Sequence, residues 1–203
     1  MPTVIYPNEK TVSLHAGNKC GISTVQSYLG YPYWKDMRGR NGKRELKDKG
    51  LWFDREQTKR YTAPPADHRA AVIRDPISRM TSIYTDRVCR KNRENCLQDI
   101  TSWDIFVKEF PKWQEQYKDI KTHSLLQTEM LLDISEYEEI FTTKQLGKEV
   151  REWLGNIVGM NIPPHRGKDG KGASEAIVVT TEQEKIIREY FVEDYKMFGN
   201  YFS

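Results

Sequence analysis

The 203-residue sequence predicts an α/β fold, three-layered, with a mainly parallel sheet flanked by helices. Two stretches carry that prediction. "TVSLHAG" is a short apolar run that leads through a glycine-containing loop into the helical pattern "ISTVQSYLG". "RAAVIRDP" repeats the order: its apolar run Ala70 to Ile73 is followed by a turn and then by "ISRMTSIYTDRVC". Strands alternating with helices in this way pair in parallel, and such sheets bind ligands beyond the carboxyl ends of their strands.

Taken in order, the first helix is expected to begin just after Gly21 and to stop at Gly30 and Pro32. Tyr33 to Gly50 is polar, basic and glycine-containing, which predicts an irregular surface segment. "LWF" at Leu51 to Phe53 and "RYT" near Tyr61 have the composition of short strands, and Pro64 and Pro65 then break the chain. In the second unit Asp75 is placed to cap a helix whose first turn accepts Pro76. Met80, Ile83, Tyr84 and Val88 recur along that helix as a core-facing stripe. Trp103, Phe106, Val107 and Phe110 share a face before Pro111 interrupts, and Val150, Trp153 and Leu154 have the spacing of packing residues. The last helix opens with a capping box, Thr181 to Glu184, and carries Ile186, Ile187, Tyr190 and Phe191 on one face. The length suits one domain, residues 1–203, with no internal repeat.

An apolar content of 37% with 30% charged residues is that of a globular protein. No apolar run approaches the ~20 residues of a membrane span. The start "MPTVIYPNEK" has no secretory pattern, so the expectation is a cytoplasmic protein with no membrane partner. Cys20, Cys89 and Cys96 are too few for a disulfide framework and lack zinc-site spacing. Cys89 and Cys96 can pair only in an oxidising compartment, and free thiols are the expected state. The net charge is only +3, but residues 35–60 hold ten basic side chains against five acidic ones. That excess suits an anionic partner or substrate, in a segment that is mobile without its ligand, or is simply a solvated loop.

The loop in "HAGNKCGISTV" lacks the G-x-x-x-x-G-K-[ST] order of a nucleotide triphosphatase. It nevertheless precedes a helix, whose first backbone N–H groups lie at the positive end of the helix dipole and can cradle a phosphate or sulfate. Gly21 admits the anion close to the main chain, Ser23 and Thr24 add hydroxyls, and Lys19 adds a mobile charge. The second turn offers Arg74, with Ser78 and Ser82 one helical turn apart after it. A guanidinium and a helix hydroxyl can hold a separate phosphate. Equally, Arg74 can pair with Asp75 or another carboxylate while Ser82 back-bonds to its own helix.

These stretches resemble sulfotransferases that use 3′-phosphoadenosine-5′-phosphosulfate, nearest to the carbohydrate sulfotransferases. "KCGIST" is similar to the K-x-G-x-[ST]-[ST] loop of that family, and "RDPISRMTSIY" to its R-D-P-x-x-R-x-x-S-x-Y motif. "THSLLQTEMLL" resembles an H-x-x-x-Q segment, and "YFVEDYKMFGNY" resembles the closing segment. The resemblance implies a sulfotransferase fold like that of the P-loop nucleotide triphosphatases. It also implies that Lys19 bonds the oxygen bridging sulfate and 5′-phosphate, while Gly21, Ile22, Ser23 and Thr24 hold the phosphosulfate and Arg74 and Ser82 bind the 3′-phosphate. The product is then adenosine 3′,5′-bisphosphate, no metal is required, no nucleic acid partner is expected, and the acceptor is a hydroxyl of a saccharide or small glycoconjugate. Family members carry proline before the loop lysine, where this chain has Asn18, and Cys20 falls at the variable position.

Transfer to a hydroxyl requires a proton acceptor. Of the four histidines, His68 starts the strand that ends near Arg74 and lies at the far edge, His15 lies within a strand, and His165 sits in a basic loop. His123 belongs to the H-x-x-x-Q segment and is the expected base, with a structural bond to Gln127 as the alternative role. Asp54 and Glu56 are further candidates. Arg166, Lys168 and Lys171 suit a loop over the 3′-phosphate or an anionic acceptor, or an ordinary surface loop. Two other functions stay open: a phosphotransferase using ATP and magnesium, and a polyanion- or nucleic-acid-binding domain without catalysis.

Overall fold

The computed structural model describes residues 3–6, 8–34, 44, 46–53, 66–89, 97, 99–164 and 176–202. Most of the basic segment 35–60, the stretch around Tyr61, Pro64, Pro65, Asp54, Glu56, Cys96, His165, Arg166, Lys168 and Lys171 lie outside the described residues. The chain divides into two compact units, Met1–Ile73 with Leu131–Gly167, and Arg74–Met130 with Lys168–Ser203.

The first unit holds the sheet. Its strands are β1 (Thr3–Ile5), β2 (Thr11–Ala16), β3 (Trp52–Phe53), β4 (His68–Ile73) and β5 (Glu139–Thr142), in the order β3-β1-β2-β4-β5. β4 runs parallel to both β2 and β5, whereas β1 is antiparallel to β2 and β3. The expected mainly parallel sheet is therefore corrected to a mixed one. The cause is local: β1 returns into β2 through a tight turn, Tyr6 and Lys10 pairing as Glu9 takes φ 64°, and a hairpin can only be antiparallel.

Helix α1 (Ile22–Trp34) follows β2 and runs through Gly30 and Pro32, where its end was expected. Contacts from elsewhere in the unit hold its last turn: the Tyr6 hydroxyl donates to the Leu29 carbonyl at 2.8 Å, and the Tyr33 hydroxyl donates to the Ile5 carbonyl. α1 packs with the helix Glu149–Val158 on one face of the sheet. Val4, Val12, Leu14 and Val72 meet Val25, Leu29, Val150 and Leu154 there, all fully buried. Alternation sends Thr3, Ser13, His15 and Ala71 to the other face, also buried, with the Thr3 and Ser13 hydroxyls bonded at 2.7 Å.

The second unit is helical. α2 (Pro76–Ile83) passes into a π-helical segment, Tyr84–Cys89, and is followed by α3 (Trp103–Lys108), α4 (Phe110–Gln116), α5 (Lys118–Ser124) and α6 (Gln127–Met130). With α7 assigned to Glu149–Val158 of the first unit, the chain ends in α8 (Thr181–Tyr190) and α9 (Val192–Phe198). The expected stripes form this unit's core: Met80, Ile83 and Val88 meet Phe106, Val107, Phe110, Trp113, Ile187 and Phe191. Asp75 caps α2 as expected, its carboxylate accepting from the Ser78 N–H at 3.0 Å with Pro76 in the first turn. The capping box of α8 is one residue earlier than expected. Thr180 pairs with Gln183, because the Gln183 amide also accepts from Trp103 Nε1 and donates to Asp104, each at 3.1 Å.

Candidate functional site

β2 and β4 are parallel neighbours with Ala16 opposite Val72, so the loop after β2 and the turn after β4 begin at the same edge of the sheet. The first of these is a hydrogen-bonded turn, Gly17 to Cys20, closed by the Cys20 N–H on the Gly17 carbonyl at 3.2 Å. Lys19, its third residue, has φ 65° while Asn18 does not have positive φ, which is the pattern of a type II turn. Gly21 is also left-handed, with φ 77°, and a Cβ there would meet Leu146 Cδ1 at 2.3 Å. Glycine at this position is thus favoured by the backbone, while a Cβ would displace the end of the Leu146 side chain.

A lysine in the left-handed region is a strained choice, since that conformation costs a side-chain-bearing residue about 1–2 kcal/mol. Strain of this kind clusters where the main chain is shaped for a ligand. α1 then begins at Ile22, with the Val25 N–H on the Gly21 carbonyl as its first ladder bond at 3.0 Å. The amides of Ile22, Ser23 and Thr24 precede that ladder. Ser23 is exposed, and Lys19, Ile22 and Thr24 are half-buried. Cys20, at the variable position of the loop pattern, is fully buried in the core under the loop.

In the second unit three of the sequence segments converge. Gln127 brackets the Arg74 peptide: its Oε1 accepts the Arg74 N–H at 2.8 Å and its Nε2 donates to the Arg74 carbonyl at 2.9 Å. The same Nε2 donates to Asp194 Oδ2 at 3.3 Å, and Asp194 further accepts from the Thr128 N–H at 3.1 Å and hydroxyl at 3.4 Å. Arg79 faces Asp194 at 3.5 Å, and its guanidinium donates to the carbonyls of His123, at 3.2 Å, and Leu125. Tyr195 donates to Asp75 Oδ2 at 3.1 Å, and burial followed by the Asp75 charge pushes its phenol well above the ordinary range. Arg74 and Ser82 themselves are half-buried, Ser82 on α2. Arg79 and Asp194 were not singled out from the sequence; the signal was present, because both are charged residues inside the resembling segments and on otherwise apolar helix faces.

His123, on α5, bonds at both ring nitrogens. Nδ1 donates to the Asp119 carbonyl at 2.7 Å, which leaves Nε2 to accept from Arg87 at 2.5 Å. Arg87 comes from the π-helical segment and also faces Asp86 and Asp119. The other described histidines stand as expected: His68 opens β4 and faces Glu138 at 3.2 Å, and His15 is buried in β2 against Tyr137.

No family model matches the chain, and neither a curated protein nor a solved structure matches it. No described helix is long and apolar enough to cross a membrane.

Proposed function

We propose that the chain is a sulfotransferase that moves a sulfuryl group from 3′-phosphoadenosine-5′-phosphosulfate to a hydroxyl of a saccharide or small glycoconjugate. The observation that carries this reading is the strained Lys19, held left-handed near Gly21 in the loop that follows β2, whose parallel neighbour β4 ends one residue before Arg74. A donor with one anion at each end of its ribose needs two such cation-bearing turns.

In the proposed reaction the acceptor oxygen attacks sulfur as the bond from sulfur to the bridging oxygen breaks. Lys19 neutralises the charge that develops on that oxygen, and the first amides of α1 with Ser23 and Thr24 hold the phosphosulfate. Arg74 and Ser82 take the 3′-phosphate, which separates this donor from ordinary adenine nucleotides. The acceptor's proton goes to Nε2 of His123, and Arg87 must first release that nitrogen. Arg87 therefore gates the base in this reading.

Thermal denaturation with candidate ligands tests the proposal. Adenosine 3′,5′-bisphosphate at a hundredfold excess over its dissociation constant is expected to raise the midpoint by about 5–10 °C. A shift with magnesium-ATP alone would identify a phosphotransferase, and a shift with an oligonucleotide alone a polyanion binder. Transfer of labelled sulfate to a panel of saccharides then identifies the acceptor.

A further inference from the structure

We infer that Gln127 and Asp194 are positioning residues for the Arg74 turn, and that preference for a nucleotide carrying a 3′-phosphate passes through them. The inference rests on the reading of Arg74 as a 3′-phosphate ligand.

The ladder between β4 and β5 ends at Ile73 opposite Thr142, so the next peptide, that of Arg74, lies beyond the sheet. Within the second unit the Gln127 amide serves both its N–H and its carbonyl, as one more strand would. A primary amide can be turned either way, and only one orientation puts Oε1 on the Arg74 N–H. Asp194 selects it. A carboxylate only accepts, so the Nε2 side of Gln127 must face it, and the two hydrogens of Nε2 then reach Asp194 and the Arg74 carbonyl together.

Asp194 is in turn fixed by the Thr128 amide and by Arg79, and Gln127, Asp194 and Arg79 are all fully buried. An apolar cluster of like volume would pack these helices at least as well as a buried ion pair does. What the polar version adds is a defined direction for one peptide. The next residue of α9, Tyr195, holds the next residue of the turn, Asp75. Consecutive residues of α9 thereby set consecutive residues of the turn, Arg74 through Gln127 and Asp75 directly. The direction in which Arg74 leaves the chain follows from both.

The test is the ratio of affinities for adenosine 3′,5′-bisphosphate and adenosine 5′-phosphate, measured by calorimetric titration. Gln127→Met should lower bisphosphate affinity by about tenfold or more while moving 5′-phosphate affinity less than about twofold, so that the ratio collapses. Asp194→Asn, which frees the amide to turn, should move the ratio the same way by a smaller factor. Thr128→Val, which removes one contact to Asp194 without touching Arg74, should leave the ratio within about twofold. A loss of fold alone would weaken both ligands equally. A folded Gln127→Met with the wild-type ratio overturns the inference; if that variant does not fold, an unchanged ratio in Asp194→Asn does so. A wild-type chain with no preference for the bisphosphate removes the underlying functional reading instead.

Discussion

The Tyr137 hydroxyl stands between the Leu132 amide and His15, accepting from the first at 2.8 Å and bonding His15 Nδ1 at 2.9 Å. Their rings meet edge to face, with centroids 5.5 Å apart. Burial, then nearby positive charges that include Arg69, lowers the His15 pKa from 6.5 to about 3, and burial raises the phenol of Tyr137 to about 12. Both groups are therefore neutral across the physiological range.

A histidine buried neutral makes the fold acid-sensitive. Its folded pKa lies below its unfolded one, so the contribution is complete above about pH 6.5 and is lost as the pH falls toward about 3. At pH 5 the loss from this residue amounts to about 2 kcal/mol. Urea unfolding at pH 7 and pH 5 should show it in the wild type, and His15→Gln should flatten the difference. An equal pH dependence in the variant would show that His15 is not its source.

The loop before α1 trades stability for shape. Lys19→Gly relieves a left-handed residue and should leave the urea midpoint unchanged or raise stability by up to about 1 kcal/mol, while sulfate transfer falls by more than about a hundredfold. Gly21→Ala should go the other way on stability, losing about 2 kcal/mol, because φ 77° disfavours alanine and Leu146 must swing aside. A destabilised Lys19→Gly would show that the lysine holds the loop together.

Asn18 is the second residue of the type II turn, where proline is favoured, and the resembling family carries proline there. Asn18→Pro should hold or raise stability by up to about 1 kcal/mol, chiefly by restricting the unfolded chain. Chemical denaturation reads this directly, and a loss above 1 kcal/mol would show that the asparagine amide is needed.

For His123 the expected result is a separation of binding from turnover. His123→Ala should cut sulfate transfer by about a hundredfold or more while the bisphosphate still shifts the melting midpoint. Arg87→Ala, which removes the Arg87 contact from Nε2, should alter the pH profile of transfer rather than abolish it. Turnover that survives in His123→Ala would move the base to Asp54 or Glu56.

Both strand, loop and helix units were legible in the sequence because each signal is local: an apolar run, a glycine or an Asp-Pro cap, then a helical stripe. β5 was not. Its four residues are half polar and only Phe141 is buried, so its pairing with β4 supplies what its composition lacks. The persistence of α1 through Pro32 depends on Tyr6 and Tyr33 bonding across the unit, and tandem threonines left two registers for the α8 cap until Gln183 found Trp103 and Asp104. At the candidate site the loop and turn were legible by residue type. The role of Gln127 was not, because a side chain that braces a peptide 53 residues away leaves no local pattern.

The left-handed pair Lys19 and Gly21 has one more consequence. The energy of bending that loop is spent when the chain folds, so the anion proposed for it would meet a cradle already formed. Preorganisation of this kind lowers the entropic cost of capture and favours tight binding of a small, rigid group over accommodation of diverse ones. On the proposed function, breadth toward acceptors would then reside in parts of the chain other than this loop.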